Sequence, residues 1–148
     1  MGTRIVITKK RQTLTCYHYV DNSEMQEPLD YKPPETVQEL LERYVAGERY
    51  FAETNLPDGS DLTGAILEGA YLERSWLHSV NFSNANLKGV SFCDSNVKCA
   101  EFRQANLEGA NFRGAAVESI NLEGANLTGV SFAGSFAYGY ELRDGEVP

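Results

Sequence analysis

The stretch at residues 105–115 reads ANLEGANFRGA, and the pattern behind it recurs every five residues. Taking the large apolar residue of each five as its centre gives Leu62, Leu67, Leu72, Leu77, Phe82, Leu87, Phe92, Val97, Phe102, Leu107, Phe112, Val117, Leu122, Leu127 and Phe132, with no slip. Phe51 and Leu56 join the series after one extra residue within LPDGSDL. Two residues before each centre stands a mostly small residue, such as Ala65, Ala85, Ala105 or Ser95. Residues two apart on an extended segment point the same way, so small residue and centre both face inward. Five is odd, so a straight strand would send the next centre to the opposite face. The chain must therefore turn once per repeat. Asn before the centre and Gly after it fit that demand, since both tolerate turn conformations.

The number of sides per coil can also be read from the sequence. Sorted in columns of twenty residues, one column becomes uniform: Leu67, Leu87, Leu107 and Leu127, followed by Gly69, Gly89, Gly109 and Gly129. Sorting by fifteen mixes Gly, Ser and Asp. Like residues nest best on one another, so four sides and twenty residues per coil are expected, about four coils in all. The same sorting stacks Glu68, Lys88 and Glu108. It also sets Arg103 beside Glu123, Lys98 beside Glu118, and Arg74 beside Asp94. Neighbouring coils lie about 4.8 Å apart, and exposed ion pairs at that spacing are worth roughly 0–1 kcal/mol each. They specify register more than stability.

The repeated A-[N/D]-[L/F]-x-x resembles the pentapeptide-repeat family over residues 48 to about 137. The segment LLERYVAGERYFAETNL is similar to the helix-to-coil lead-in of cyanobacterial members. The resemblance implies an all-β fold, a right-handed quadrilateral parallel β-helix with an N-terminal capping α-helix. Handedness rests on the resemblance alone.

The flanks divide the chain further. Residues 35–47 are expected to be the capping helix. Val37, Leu40, Leu41, Tyr44 and Val45 form a helical stripe, Thr36 and Glu39 a capping box, and Gly47 a stop. Residues 1–34 read as a strand-and-connector segment, with one or two strands around Ile5, Val6, Ile7, Thr13, Thr15, Tyr17 and Tyr19. In the first coil, Ile66, Tyr71 and Trp76 stand at outward positions where other coils place mostly Asn. Either residues 1–34 fold back over them or they are a partner surface. Residues 138–148 close the chain as plug and tail. Phe132, Phe136, Tyr138, Tyr140 and Leu142 cluster where the coil stops, and no amphipathic helix follows. Either Tyr138–Leu142 plugs the end, leaving a monomer, or a second copy covers it end to end.

Function is read largely from what the pattern excludes. With 13 Lys plus Arg against 21 Asp plus Glu, the net charge of −8 repels nucleic acid. The basic arm of Arg4, Lys9, Lys10 and Arg11 is short enough to be a solvated strand face. No apolar run is long enough to span a membrane, and MGTRIVITKK is too short an apolar stretch for a secretory signal. Val6 stands where a myristoylation motif needs Ser or Thr. Cys16, Cys93 and Cys99 have no zinc-like spacing and read as reduced thiols of a cytoplasmic protein. His18 and His78 are isolated. No phosphate loop, nucleophile–base set or paired acids are present, and the filled coil leaves no internal pocket. No catalytic, metal-binding or cofactor-binding residue is expected. The expected function is a non-enzymatic protein-interaction or scaffold module whose partner is unknown, with Ile66, Tyr71, Trp76, Phe136, Tyr138 and Tyr140 as the possible partner surface. The alternative, suggested by the resemblance, is an acidic DNA mimic acting on DNA gyrase.

Overall fold

A chain that turns every five residues must find its hydrogen bonds between coils. The computed structural model, which describes residues 25–148, shows how. Parallel bridges join outward residues twenty apart, from Asp61 with Asn81 through Asn86 with Asn106 to Ala116 with Phe136. The two earliest bridges, Tyr50 with Tyr71 and Asn55 with Trp76, span twenty-one residues. That is the extra residue of LPDGSDL, absorbed in the turn where Ser60 N–H donates to the Pro57 carbonyl at 3.1 Å. The ladder is regular elsewhere. Leu87 N–H donates to the Asn106 carbonyl at 2.8 Å, Asn106 N–H back to Ala85 at 2.9 Å, and Gly89 N–H to Glu108 at 2.8 Å.

Each corner is a β-turn. Ala70 N–H closes on the Leu67 carbonyl at 3.0 Å, and the third turn residue, Gly69, has φ +69°. Gly89, Gly109 and Gly129 have φ +65°, +67° and +70°, so the glycine column shares one turn type as its uniformity predicts. A left-handed third residue alone is the mark of a type II turn. The structure adds that corners lacking glycine use the same turn. Arg74, Ser79, Asn84, Asp94, Cys99, Gln104 and Ser119 all sit at φ between +53° and +59°. Asn84 and Asp94 tolerate this conformation; on Arg74, Ser79, Cys99, Gln104 and Ser119, which would otherwise avoid it, the ladder imposes it. At Gly114 and Gly124 a Cβ would also meet the side-chain ends of Asp94 and Gln104.

The repeated Asn does something else. It stands on the straight side, before the centre, and its side chain reaches forward. Asn86, Asn106 and Asn126 accept from the backbone N–H of Lys88, Glu108 and Thr128 at 3.2, 3.2 and 3.1 Å. These are Asx turns, and they satisfy the amide left over at corners that an Asn precedes. Neighbouring Asn side chains also bond to each other, Asn126 Nδ2 to Asn106 Oδ1 at 3.1 Å.

The centres fill the interior. From Phe51 to Val117 every centre is at most 1% exposed. Phe82 stacks on Phe102 with centroids 5.2 Å apart, and Phe92 on Phe112 at 4.8 Å; the two columns meet edge to face, as Phe82 does with Phe92. Such offset and edge-on contacts suit the charge distribution of the rings. One inward column is hydroxylic: Ser95 Oγ donates to the Leu72 carbonyl and accepts from Ser75 N–H, and Ser75 Oγ accepts from Thr54 N–H. No buried side-chain polar atom is left without a partner among the described residues.

The helix α1 spans Val37–Val45. Thr36 Oγ1 accepts from Glu39 N–H at 3.1 Å, but the Glu39 carboxylate returns to Glu35 N–H, one residue before the expected partner. At the other end Gly47 N–H bonds Tyr44 and Glu48 N–H bonds Arg43, with Gly47 at φ +102°, a Schellman closure. Leu40 is fully buried in the coil core, with Val37, Leu41 and Tyr44 packed beside it. Val45, expected on that stripe, is 86% exposed. It lies one turn beyond Leu41, where the helix already leaves the coil.

After the last bridge a short hairpin forms. β1, Phe136–Ala137, pairs antiparallel with β2, Tyr140–Glu141. Tyr138 and Gly139 both have positive φ, as a type I′ turn requires. The strands expected within residues 1–20, the basic arm, Cys16 and His18 lie outside the described residues.

Candidate functional site

Outward residues five apart occupy successive sides of the coil, so those ten apart lie on opposite sides. Ile66, 62% exposed, heads the column of Asn86, Asn106 and Asn126. Tyr71, half-buried, lies between Tyr50 and Ser91. Trp76, 50% exposed, lies between Asn55 and Asn96 and stacks on His78. The three are thus on three different sides. The Trp76 column continues through Asn96 and Ala116 to Phe136, three coils away, or about 14 Å. Trp76 and Phe136 therefore share a side, which a search within the first coil misses. The twenty-residue column of outward residues was the signal that could have shown it.

Part of the connector does fold back. The Tyr31 ring meets Tyr50 edge-on at 4.8 Å, and its hydroxyl donates to the Ala52 carbonyl at 2.8 Å. Arg43 lies over both Tyr31 and Phe51. Burial raises the Tyr31 phenol well above its ordinary pKa. This described part covers the Tyr50 column and leaves Ile66 and Trp76 open. Any cover from residues 1–24 lies outside the described residues.

At the C-terminal end, Leu142 is the residue that enters the core. It is 7% exposed, and Gly134 N–H donates to its carbonyl and its own N–H to Ser135, both at 2.8 Å. Tyr138 and Tyr140, expected in the plug, stay 76% and 50% exposed. Tyr138 is held to the outside by Glu118, which accepts its N–H at 2.8 Å, and by Ser119 against its hydroxyl at 2.7 Å. Lys98, then the Tyr138 amide, hold the Glu118 carboxyl below its ordinary pKa. The plug closes one flank only. Ile120, Leu122, Ala125, Leu127 and Val130 remain half-buried. The backbone N–H groups of Leu122, Gly124, Leu127 and Gly129 have no partner among the described residues.

Charged columns largely follow the expected register. Lys88 pairs with Glu108 at 3.1 Å, Lys98 with Glu118, and Arg103 with Glu123. Glu68 instead accepts from Asn86 Nδ2 at 3.2 Å, and Arg74 reaches Glu53 and Glu73.

One constellation invites a chemical reading, because Ser79, His78 and Asp58 meet. Asp58 Oδ2 lies 3.0 Å from His78 Nδ1, and Ser79 Oγ lies 3.1 Å from the same nitrogen. A nucleophile–base–acid relay needs the two partners on opposite ring nitrogens, so this arrangement cannot pass a proton along. Cys93 is buried and Cys99 exposed, and no disulfide joins them among the described residues. Among the described residues, no group of three His, Cys, Asp or Glu side chains is placed to hold a metal, and no helix is long and apolar enough to cross a membrane.

Comparison with known proteins bears on the repeat directly. The family described as pentapeptide repeat region matches residues 65–140, just over half of the 148. Among solved structures, the chain is similar to HetL, a pentapeptide repeat protein involved in heterocyst differentiation regulation from the cyanobacterium Nostoc sp. strain PCC 7120. The identity is 25%, with 63% of this chain and 43% of HetL covered and a TM-score of 0.58. It is also similar to alr5209, a pentapeptide repeat protein from Nostoc PCC 7120, at 30% identity over 79% of this chain and 93% of that one, with a TM-score of 0.41. The chain thus spans less than half the length of HetL. No curated protein matches it.

Proposed function

Because the chain belongs to the pentapeptide-repeat family, we propose that it is a non-enzymatic protein-interaction module, a right-handed four-sided β-helix that α1 caps at one end and that takes its partner at the other. The observation that carries this reading is the open C-terminal coil. Half-exposed Leu122, Leu127 and Val130 sit beside amides that have no partner among the described residues, and solenoids seldom leave such an edge uncovered. The edge offers acceptors as well as donors, since the Ile120 and Ala125 carbonyls face the same way as the Leu122 and Leu127 amides. A second copy turned about a two-fold axis can therefore meet it with the same patch. The exposed rings of Phe136, Tyr138 and Tyr140 extend the surface outward.

Light scattering at two concentrations tests this reading. The intact chain is expected to associate as concentration rises, and Leu127→Lys to remain monomeric with an unchanged circular dichroism spectrum. A chain monomeric at both concentrations that binds nothing through this end would overturn it. A DNA mimic asks for a continuous acidic face. Here Lys88, Lys98 and Arg103 interrupt the acidic columns, so gyrase supercoiling is expected to proceed unchanged in the protein's presence.

A further inference from the structure

From Tyr71 to Ala116 every outward residue bridges in both directions, as Asn81 does with Asp61 below and Glu101 above. The first coil has nothing below it to bridge. Ile66 pairs only with Asn86, through Asn86 N–H on the Ala65 carbonyl at 2.8 Å and Leu67 N–H on the Asn86 carbonyl at 2.9 Å. The N–H and C=O of Ile66 itself point the other way, and neither has a partner among the described residues. α1 touches the next corner, where the Tyr44 hydroxyl donates to the Glu68 carbonyl at 2.9 Å, and leaves Ile66 62% exposed. A strand edge beside an exposed apolar side chain is a template for another strand. The surroundings are acidic. Glu68 accepts from Asn86 Nδ2 and Asp61 from Thr63 N–H, and neither carboxylate has a cationic partner among the described residues.

The chain carries a segment that fits this edge. In RIVITKKR, the β-branched Ile5, Val6, Ile7 and Thr8 favour a strand, and Arg4, Lys9, Lys10 and Arg11 flank them. The segment lies outside the described residues, but the point where it joins them does not. Met25 stands with Tyr31 and Tyr50 around the end of α1, and the Tyr50 column occupies the side that adjoins Ile66. The 18 residues from Ile7 to Met25 reach about 60 Å at full extension, against about 20 Å for the height of the coil stack.

We propose that residues 5–7 add to the first coil as a parallel strand beneath Ile66. In the register of the other bridges, the Ile5 carbonyl accepts from Ile66 N–H, Ile7 N–H donates to the Ile66 carbonyl, and Val6 stands beside the Ile66 side chain. The flanking cations are drawn to Asp61 and Glu68. The added strand takes Ile66 out of the partner surface and closes the part of the N-terminal end that α1 leaves open, which confines partner binding to the C-terminal coil.

Backbone amide exchange, followed by NMR on the full chain, tests the pairing. The Ile66 amide is expected to exchange on the order of a hundredfold or more slowly than an unstructured amide, at every protein concentration. A nuclear Overhauser contact is expected between the Val6 and Ile66 side chains. Ile7→Pro removes the donor to the Ile66 carbonyl and is expected to speed Ile66 exchange about tenfold or more, while a slow Leu107 amide reports that the coil is still folded. An unprotected Ile66 amide, or one indifferent to Ile7→Pro, overturns the assignment. So does protection that appears only as concentration rises, because a second copy then supplies the strand. Should Ile7→Pro free Leu107 as well, the Val6–Ile66 contact in the intact chain decides, and its absence overturns the pairing. Ile66 and Leu127 lie at opposite ends of one column, so failure here leaves the end-coil reading standing, and the reverse also holds.

Discussion

The two ends of the coil stack have the same repeat behind them and are closed in unlike ways. At the N-terminal end α1 inserts Leu40, fully buried, while Tyr31 and Arg43 seal the flank over Phe51. At the C-terminal end a two-stranded hairpin inserts Leu142 and leaves Leu122 and Leu127 half-buried, their amides without a partner among the described residues. The repeat specifies the interior, since each coil offers its neighbour the same surface. It cannot specify an end, where that neighbour is missing. The N-terminal end resolves this with an element of a different period, a helix. The C-terminal end resolves it only in part, and what remains is a surface.

The contrast can be broken or sharpened by substitution. Position for position in one column, Leu107→Ala is expected to cost about 2–5 kcal/mol, because it empties a fully enclosed site, whereas Leu127→Ala should cost less than about 1.5 kcal/mol in the monomer. Denaturant melting at low protein concentration measures both, and equal losses would erase the distinction between interior and end. Next in size, Asn106→Ala is expected to cost about 1–2 kcal/mol, since it strands the Glu108 amide and breaks the Asn ladder. If it proved silent, the Asx role drawn from the 3.2 Å contact would be wrong. Smallest is the effect of acid on the C-terminal hairpin. The folded pKa of Glu118 is depressed by Lys98 and the Tyr138 amide. Its contribution is therefore present above the ordinary carboxylate range and fades as pH falls through the depressed value. Glu118→Gln should flatten that acid limb slightly and loosen Tyr138. A melting profile between neutral and acid pH reports it.

Much of this was legible in the sequence. A five-residue period forces a corner per repeat, and uniform columns reveal twenty residues per coil, because stacked neighbours must match. The one-residue insertion before Leu62 was legible for the same reason. Two features were not. The left-handed corners at Arg74, Cys99 and Gln104 defy local preference, and only the hydrogen-bonded ladder explains them. The fate of the aromatic end was also hidden, because hydrophobicity ranks Tyr138 and Tyr140 beside Leu142 as plug residues. Leu142 enters the coil mouth, while hydrogen bonds at Glu118 and Ser119 keep the Tyr138 ring outside. Ile66, Tyr71 and Trp76 read as one group from their closeness in sequence, and the four-sided geometry separates them.

Hydrogen exchange of the backbone amides tests the central claim, two unlike ends on one ladder, most directly. Slow exchange is expected for Leu87 and Leu107, which donate to the next coil at 2.8 and 3.0 Å, and for Leu40 within the helix. At low protein concentration fast exchange is expected for Leu122, Gly124, Leu127 and Gly129, slowing as concentration rises and the end is covered. Protection at those four amides equal to that of Leu107 at every concentration would contradict it.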